Sequence, residues 1–246
     1  MCRWLAYSGN PIPLSTLIFE TRHSLIDQSL AALQSEQTTN GDGFGIGWYD
    51  RLEEPGLYKD IQPAWNDDNL QDVCRHVVSP LFLAHVRATT GTPVQQTNCH
   101  PFRHGRWLFV HNGLIAGLES IRWDLVSELG REWFGHLKGT TDSEIMFYLC
   151  LHFGLEDDPC GAVARMVGLV ERVGMGADVA WPVQMTLGFS DGERLHAVRY
   201  SSEGRSRTLY HSEDIAALRR LIPPGVATAL DAFSDDARMV VSEPLG

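Results

Sequence analysis

Apolar and polar or small residues alternate from Val183 to Phe189, with Val183, Met185, Leu187 and Phe189 on one side. That period of two predicts a strand with one buried face. Asp191-Gly192 then signals a turn, and Leu195 to Tyr200 returns as the antiparallel partner. Two other runs, Leu81 to Ala88 and Arg106 to His111, are apolar on both sides, which predicts strands covered on both faces. Arg3 to Ser8 reads as a short strand ended by Gly9-Asn10-Pro11, and Arg207 to Tyr210 and Arg238 to Ser242 complete the set. Asn112-Gly113 reads as a hairpin or tight turn, because both residues tolerate positive φ.

A helical period governs other stretches. Leu70, Val73, Cys74 and Val77 fall at i, i+3, i+4 and i+7, the stripe of one helix, with Pro80 as its stop. Leu14 to Phe19 and Leu25 to Leu33 read as short helical or loop segments. Glu119 to Leu129 predicts a helix. Thr140-Thr141-Asp142-Ser143-Glu144 opens another that reaches Phe153, with Thr141 and Glu144 spaced as a capping box. Ala162 to Val173 carries the stripe Val163, Met166, Val167 and Val170. Val94 to His104 reads as a polar loop, and Gly225 to Asp236 is weakly patterned. The order is strands, a helical block, then strands, with hairpins that imply antiparallel pairing. Two stacked sheets with helices outside, an α+β architecture, satisfy that pattern.

The run Asn40-Gly41-Asp42-Gly43-Phe44-Gly45-Ile46-Gly47-Trp48-Tyr49 invites a dinucleotide-binding reading. Such a fingerprint follows a strand and opens a helix. These glycines instead alternate with Phe44 and Ile46 and run into Trp48-Tyr49, so they enter a strand pressed close to a ligand or another backbone. Leu57 to Ile61 pairs with it as a hairpin.

Composition narrows the function classes. The 246 residues carry a net charge of −11 with 43% hydrophobic residues. An acidic chain of this kind argues against nucleic acid or an anionic membrane as the main partner. The opening shows no signal peptide and no run of transmembrane length, so the expected compartment is the cytoplasm. The five cysteines, Cys2, Cys74, Cys99, Cys150 and Cys160, form no C-x-x-C pair and suggest neither a zinc site nor a disulfide framework. No metal and no organic cofactor is expected.

Cys2 directly follows Met1. Once Met1 is trimmed, one residue bears a thiol and a free α-amine, which titrates at roughly 7.7–8.0 and can act as a base. A small half-buried residue at a strand start is the plainer reading. Arg87 with Thr89-Thr90, Asn112-Gly113 and Asp142 also sit at ends of buried elements. Singly, these read as an interior ion pair, a turn and a helix N-terminal acid. Together they form a coherent acyl-transfer set. Cys2 attacks a carbonyl, the Asn112 amide and the Gly113 N–H hold the oxyanion, Arg87 grips a carboxylate and Asp142 an ammonium. A carboxylate, an ammonium and an attacked amide describe a γ-glutamyl group.

These residues resemble a known family. Met1-Cys2, His85-Val86-Arg87-Ala88-Thr89, His111-Asn112-Gly113 and Thr141-Asp142-Ser143-Glu144 occur in the order of the class II glutamine amidotransferase domain of the N-terminal-nucleophile hydrolases. The opening Met1 to Tyr7, the glycine run, Asn98-Cys99-His100-Pro101-Phe102 and Val241-Ser242-Glu243-Pro244-Leu245 resemble its short, stand-alone members, which act on γ-glutamyl compounds of glutathione degradation and ergothioneine synthesis. The resemblance implies a four-layer αββα fold and a single domain over residues 2–246. It implies cleavage of a γ-glutamyl amide of glutamine or a γ-glutamyl compound through a thioester on Cys2. It further implies Asn112 and Gly113 as the oxyanion hole, and Arg87 and Asp142 as clamps. Where synthase-linked members carry Thr-His-Gly after the clamp arginine, this chain has Thr89-Thr90-Gly91, so Thr89 and Thr90 are both candidates for the substrate carboxylate. His100 is either a substrate contact or a support for the covering loop. The alternative is a glutaminase subunit that passes ammonia to a separate synthase, or a chain working with a peptidase partner. A third reading keeps the fold without the chemistry, if Met1 stays in place.

Overall fold

The computed structural model describes residues 2–34, 38–89, 91–220 and 229–246. Along the chain, β1 (Arg3–Pro13) leads to α1 (Ser15–Ile18) and α2 (Leu25–Leu30), then to β2 (Phe44–Trp48) and β3 (Gly56–Asp60). Next come α3 (Asp68–His76), β4 (Val78–Val86), β5 (Phe102–His104) and β6 (Trp107–Ile115). The helical block is α4 (Leu118–Glu128), α5 (Gly130–Phe134), α6 (Asp142–His152) and α7 (Pro159–Gly176). After it follow β7 (Val183–Ser190), β8 (Leu195–Ser201), β9 (Tyr210–His211), α8 (Ile215–Arg220) and β10 (Arg238–Val241).

The strands form two sheets, β3-β2-β4-β1-β10-β9 and β5-β6-β7-β8. Every pairing is antiparallel. Three hydrophobic clusters show how the layers stack. Leu5, Tyr7, Phe82 and Ala84 pack against Leu17, Leu25 and Leu70 of the first helical layer. Trp4, Ala6, Leu81, Leu83, Leu108 and Val110 fill the space between the sheets. Phe109, Met185, Leu187 and Phe189 pack against Ile121, Phe147 and Met166 of the second helical layer. Neighbouring residues of one strand belong to different clusters because side chains alternate across a strand. That is why β4 and β6 are apolar on both faces, and it confirms the αββα expectation.

Several expectations are corrected. β1 does not end at Gly9-Asn10-Pro11 but runs to Pro13, with a register shift between Ser8 and Ile12. Pro80 does not stop α3, which ends at His76. Instead it lies inside β4, where the register steps from Ser8↔Leu81 to Ile12↔Ser79 and its missing N–H costs no ladder bond. Asn112-Gly113 is no turn. β6 passes straight through it, with Asn112 opposite Thr186 and Gly113 opposite Met185. A Cβ on Gly113 would lie 1.9 Å from the Gln184 carbonyl oxygen, so the glycine serves the close approach of β7. Residues 102–104, read as loop, form β5. The strand expected at 207–210 is reduced to Tyr210–His211. The crowding expected of the glycine run is present, since a Cβ on Gly45 would lie 2.2 Å from the His100 carbonyl oxygen. Among the described residues no helix is long and apolar enough to cross a membrane.

Candidate active site

The alternation that sends Trp4 and Leu83 between the sheets puts Cys2, His85 and Arg87 on that same face. β1 and β4 pair as Arg3↔Val86 and Trp4↔His85, so Cys2 and Arg87 come together at one end of the sandwich. A cavity of about 460 Å³ opens there. Cys2, Arg87, Thr89, His100, Gly113 and Asp142 all line it.

The Cys2 sulfur lies against the backbone of Ala88, whose N–H donates to Sγ at 3.4 Å and whose carbonyl is 3.5 Å away. Burial pushes the thiol above its ordinary pKa. The nearby Asp142 carboxylate adds to that, while the Ala88 N–H and the Arg87 charge work against it. At neutral pH the group is therefore a thiol that needs a base.

Arg87 follows the last residue of β4 and is clamped by backbone bonds to the start of β2: its N–H donates to Gly43 O, and Asp42 N–H donates to Arg87 O. Its guanidinium donates to Asp42 O at 3.3 Å, to Thr89 Oγ1 at 3.2 Å and to Thr92 Oγ1 at 2.6 Å. Those acceptors are neutral, so the charge stays available to an anion. The carboxylate of Asp42 accepts from Thr89 N–H and braces the loop. Sequence reasoning missed Asp42 and Thr92 as supports; nothing in their local pattern separates them from ordinary loop residues. Thr90 lies outside the described residues.

Asp142 is the first residue of α6, and Thr141 caps that helix by accepting from Glu144 N–H at 3.2 Å. Only half of the expected capping box forms, because the Glu144 carboxylate turns away to accept from Lys138 and Gly139 N–H. Asp142 accepts from Ile115 N–H at 2.8 Å and from the N–H and hydroxyl of Ser143. Ser143 also bonds His111 Nδ1 at 2.8 Å, tying α6 to β6. Asn112 does not line the cavity. Its amide donates to the Cys2 carbonyl at 2.8 Å, which leaves the second hydrogen of that nitrogen for another acceptor. His100 packs on His85 with ring centroids 4.2 Å apart, and burial lowers both, His85 to about 3. Both rings are neutral at ordinary pH and do not compete as cations with Arg87. Among the described residues no three His, Cys, Asp or Glu side chains group as metal ligands.

A family model for class II glutamine amidotransferases matches residues 14–234. The chain belongs to that family. The matched span covers Arg87, Asn112, Gly113 and Asp142 and begins after Cys2. A probable glutamine amidotransferase of Saccharomyces cerevisiae is 41% identical over 160 residues, covering 61% of this chain and 45% of the yeast protein. The chain thus spans less than half the length of that relative. A gamma-glutamyl-hercynylcysteine sulfoxide hydrolase of Mycolicibacterium smegmatis is 28% identical over 96% of this chain and 89% of its own length. Among solved structures, a glutamine aminotransferase class-II domain protein from Silicibacter pomeroyi superposes with a TM-score of 0.71 at 34% identity, covering 98% of this chain and 88% of the other. The chain therefore shares the two-sheet, helix-flanked architecture of that class II domain.

Proposed function

We propose that the chain, acting as one domain over residues 2–246, hydrolyses a γ-glutamyl amide with Cys2 as nucleophile after loss of Met1. One observation carries this reading. The Cys2 thiol shares a cavity with a cation that has no carboxylate partner among the described residues, Arg87, and with a carboxylate held by backbone N–H groups, Asp142. That pair matches the α-carboxylate and α-ammonium of a γ-glutamyl group.

The chemistry balances as follows. The freed α-amine takes the thiol proton, and the thiolate attacks the γ-carbonyl carbon. The Gly113 N–H and the remaining Asn112 hydrogen receive the oxyanion. Collapse breaks the C–N bond, the α-ammonium returns its proton to the departing amine, and a γ-glutamyl thioester remains on Cys2. Water, deprotonated by the same amine, then releases glutamate and restores the thiol.

The test is intact mass before and after exposure to 6-diazo-5-oxo-norleucine, a glutamine-like electrophile. The expected result is loss of Met1 and one adduct on Cys2, absent in Cys2→Ala. Full turnover by Cys2→Ala would sink the assignment. A second reading, delivery of ammonia to a synthase or joint work with a peptidase, is favoured by exposed Trp123 and Phe134 on α4 and α5. It predicts turnover only with that partner present.

A further inference from the structure

Resting on the γ-glutamyl reading, we infer that Arg122 is a specificity-determining residue that recognises a carboxylate on the group leaving the γ-glutamyl carbonyl, so that the preferred substrates are γ-glutamyl peptides with a free C-terminus. A γ-glutamyl group uses one cation and one carboxylate, Arg87 and Asp142. The cavity presents two of each, since Arg122 and Glu119 of α4 also line it. Arg122 enters from the helical layer outside the second sheet, and its Nη1 donates to the Thr140 carbonyl at 2.9 Å. That bond fixes the guanidinium beside the N-terminus of α6. Among the described residues Arg122 forms no ion pair, although the chain carries a net charge of −11. Its charge, like that of Arg87, is held by a neutral acceptor and faces the cavity. Leu114 and Leu118 line the cavity as well and supply apolar surface for the body of a peptide.

Glu119 lies one turn before Arg122 and works against an anion at the same rim. The two residues therefore have opposite effects, which a purely structural role would not produce.

The test compares γ-glutamyl-alanyl-glycine, its C-terminal amide and glutamine as substrates of the processed protein. The wild type prefers the acid peptide over the amide by about tenfold in kcat/KM, the discrimination expected of one partly exposed charge-assisted contact, and added salt shrinks that preference. In Arg122→Gln the preference vanishes through KM, while glutamine turnover stays within about twofold of wild type, because uniform binding of the leaving group is what is lost. Arg122→Lys restores part of the preference, and Glu119→Gln lowers the KM of the acid peptide. Equal rates for acid and amide in the wild type, or an equal loss on all three substrates in Arg122→Gln, would overturn the role of Arg122 alone. No turnover of any substrate, together with no binding of the acid peptide to Cys2→Ala by calorimetry, would overturn the γ-glutamyl reading and this inference with it.

Discussion

The side-chain amide of Asn112 donates to the carbonyl oxygen of Cys2 at 2.8 Å, joining the second sheet to the residue proposed as the nucleophile. One of its hydrogens is donated to the backbone of Cys2, and in the proposed reaction the other receives the oxyanion. Asn112→Ala removes both. The expected outcome is a fall in kcat of about 10²–10³ with KM little changed, since the lost donor acts on charge that develops only in the transition state. Steady-state kinetics on glutamine checks this. A change confined to KM would assign Asn112 to substrate binding instead.

Arg87 makes three contacts to neutral oxygens and lines the cavity. Arg87→Lys retains the charge but loses the bidentate geometry. KM for glutamine is expected to rise about tenfold or more, with kcat reduced less. Asp42→Ala, which removes the brace from Thr89 N–H without touching the cavity, should raise KM by a smaller factor. Equal effects on kcat and kcat/KM in Arg87→Lys would indicate that the arginine acts in the chemical step.

Much of this arrangement was legible in the chain itself. Period-two alternation over Val183–Phe189 and doubly apolar runs at β4 and β6 predicted two covered sheets, because a strand's partners on both faces are written into its own residues. Cys2, Arg87 and Asp142 converge because each ends or begins a buried element, while Gly113 reaches the same cavity from inside β6. The errors share one physical cause. Pro80, Asn112-Gly113 and Gly9-Asn10-Pro11 are local turn signals, and each lies inside a strand where long-range pairing outweighs the local preference. Asp42, Thr92 and Arg122 carry no periodic signal at all. Thr92 and Arg122 meet the cavity, and Asp42 braces Thr89 beside it, through loop paths and helix rotation that the pattern of one chain does not encode.

The closing segment has a structural explanation in Glu243. This carboxylate pairs with Arg3 Nε at 2.8 Å and with His23 Nε2 at 2.7 Å, and it accepts from Leu33 and Gln34 N–H. Both Arg3 and Glu243 are 1% exposed. Burial raises the carboxyl pKa, yet the His23, Leu33 and Gln34 hydrogen bonds and the Arg3 charge outweigh it and hold the group below its ordinary value. Glu243→Gln removes the carboxylate charge from this buried pair. The expected loss is about 3–5 kcal/mol in urea unfolding. Arg3 also donates to the Cys2 carbonyl at 2.9 Å, so slower alkylation of Cys2 should accompany the loss of stability.

Acid stability provides the last prediction. Burial lowers His85, His100 and His111 below the ordinary histidine value, His85 to about 3. Arg87 lowers His85 further, while Asp142 works in the opposite direction on His111. For a group whose folded pKa is depressed, the unfolded chain takes up the proton first. Stability is therefore intact above about 6.5 and declines as the pH falls from there towards 3. Each histidine that stays neutral in the fold adds a slope of about 1.4 kcal/mol per pH unit within that window. Urea unfolding free energies measured from pH 7 to pH 4 should fall with a steep slope. His85→Phe removes one titrating group and keeps a ring packed on His100, so it should flatten the slope by about one such increment. An unchanged slope in that variant would show that His85 is protonated in the folded protein.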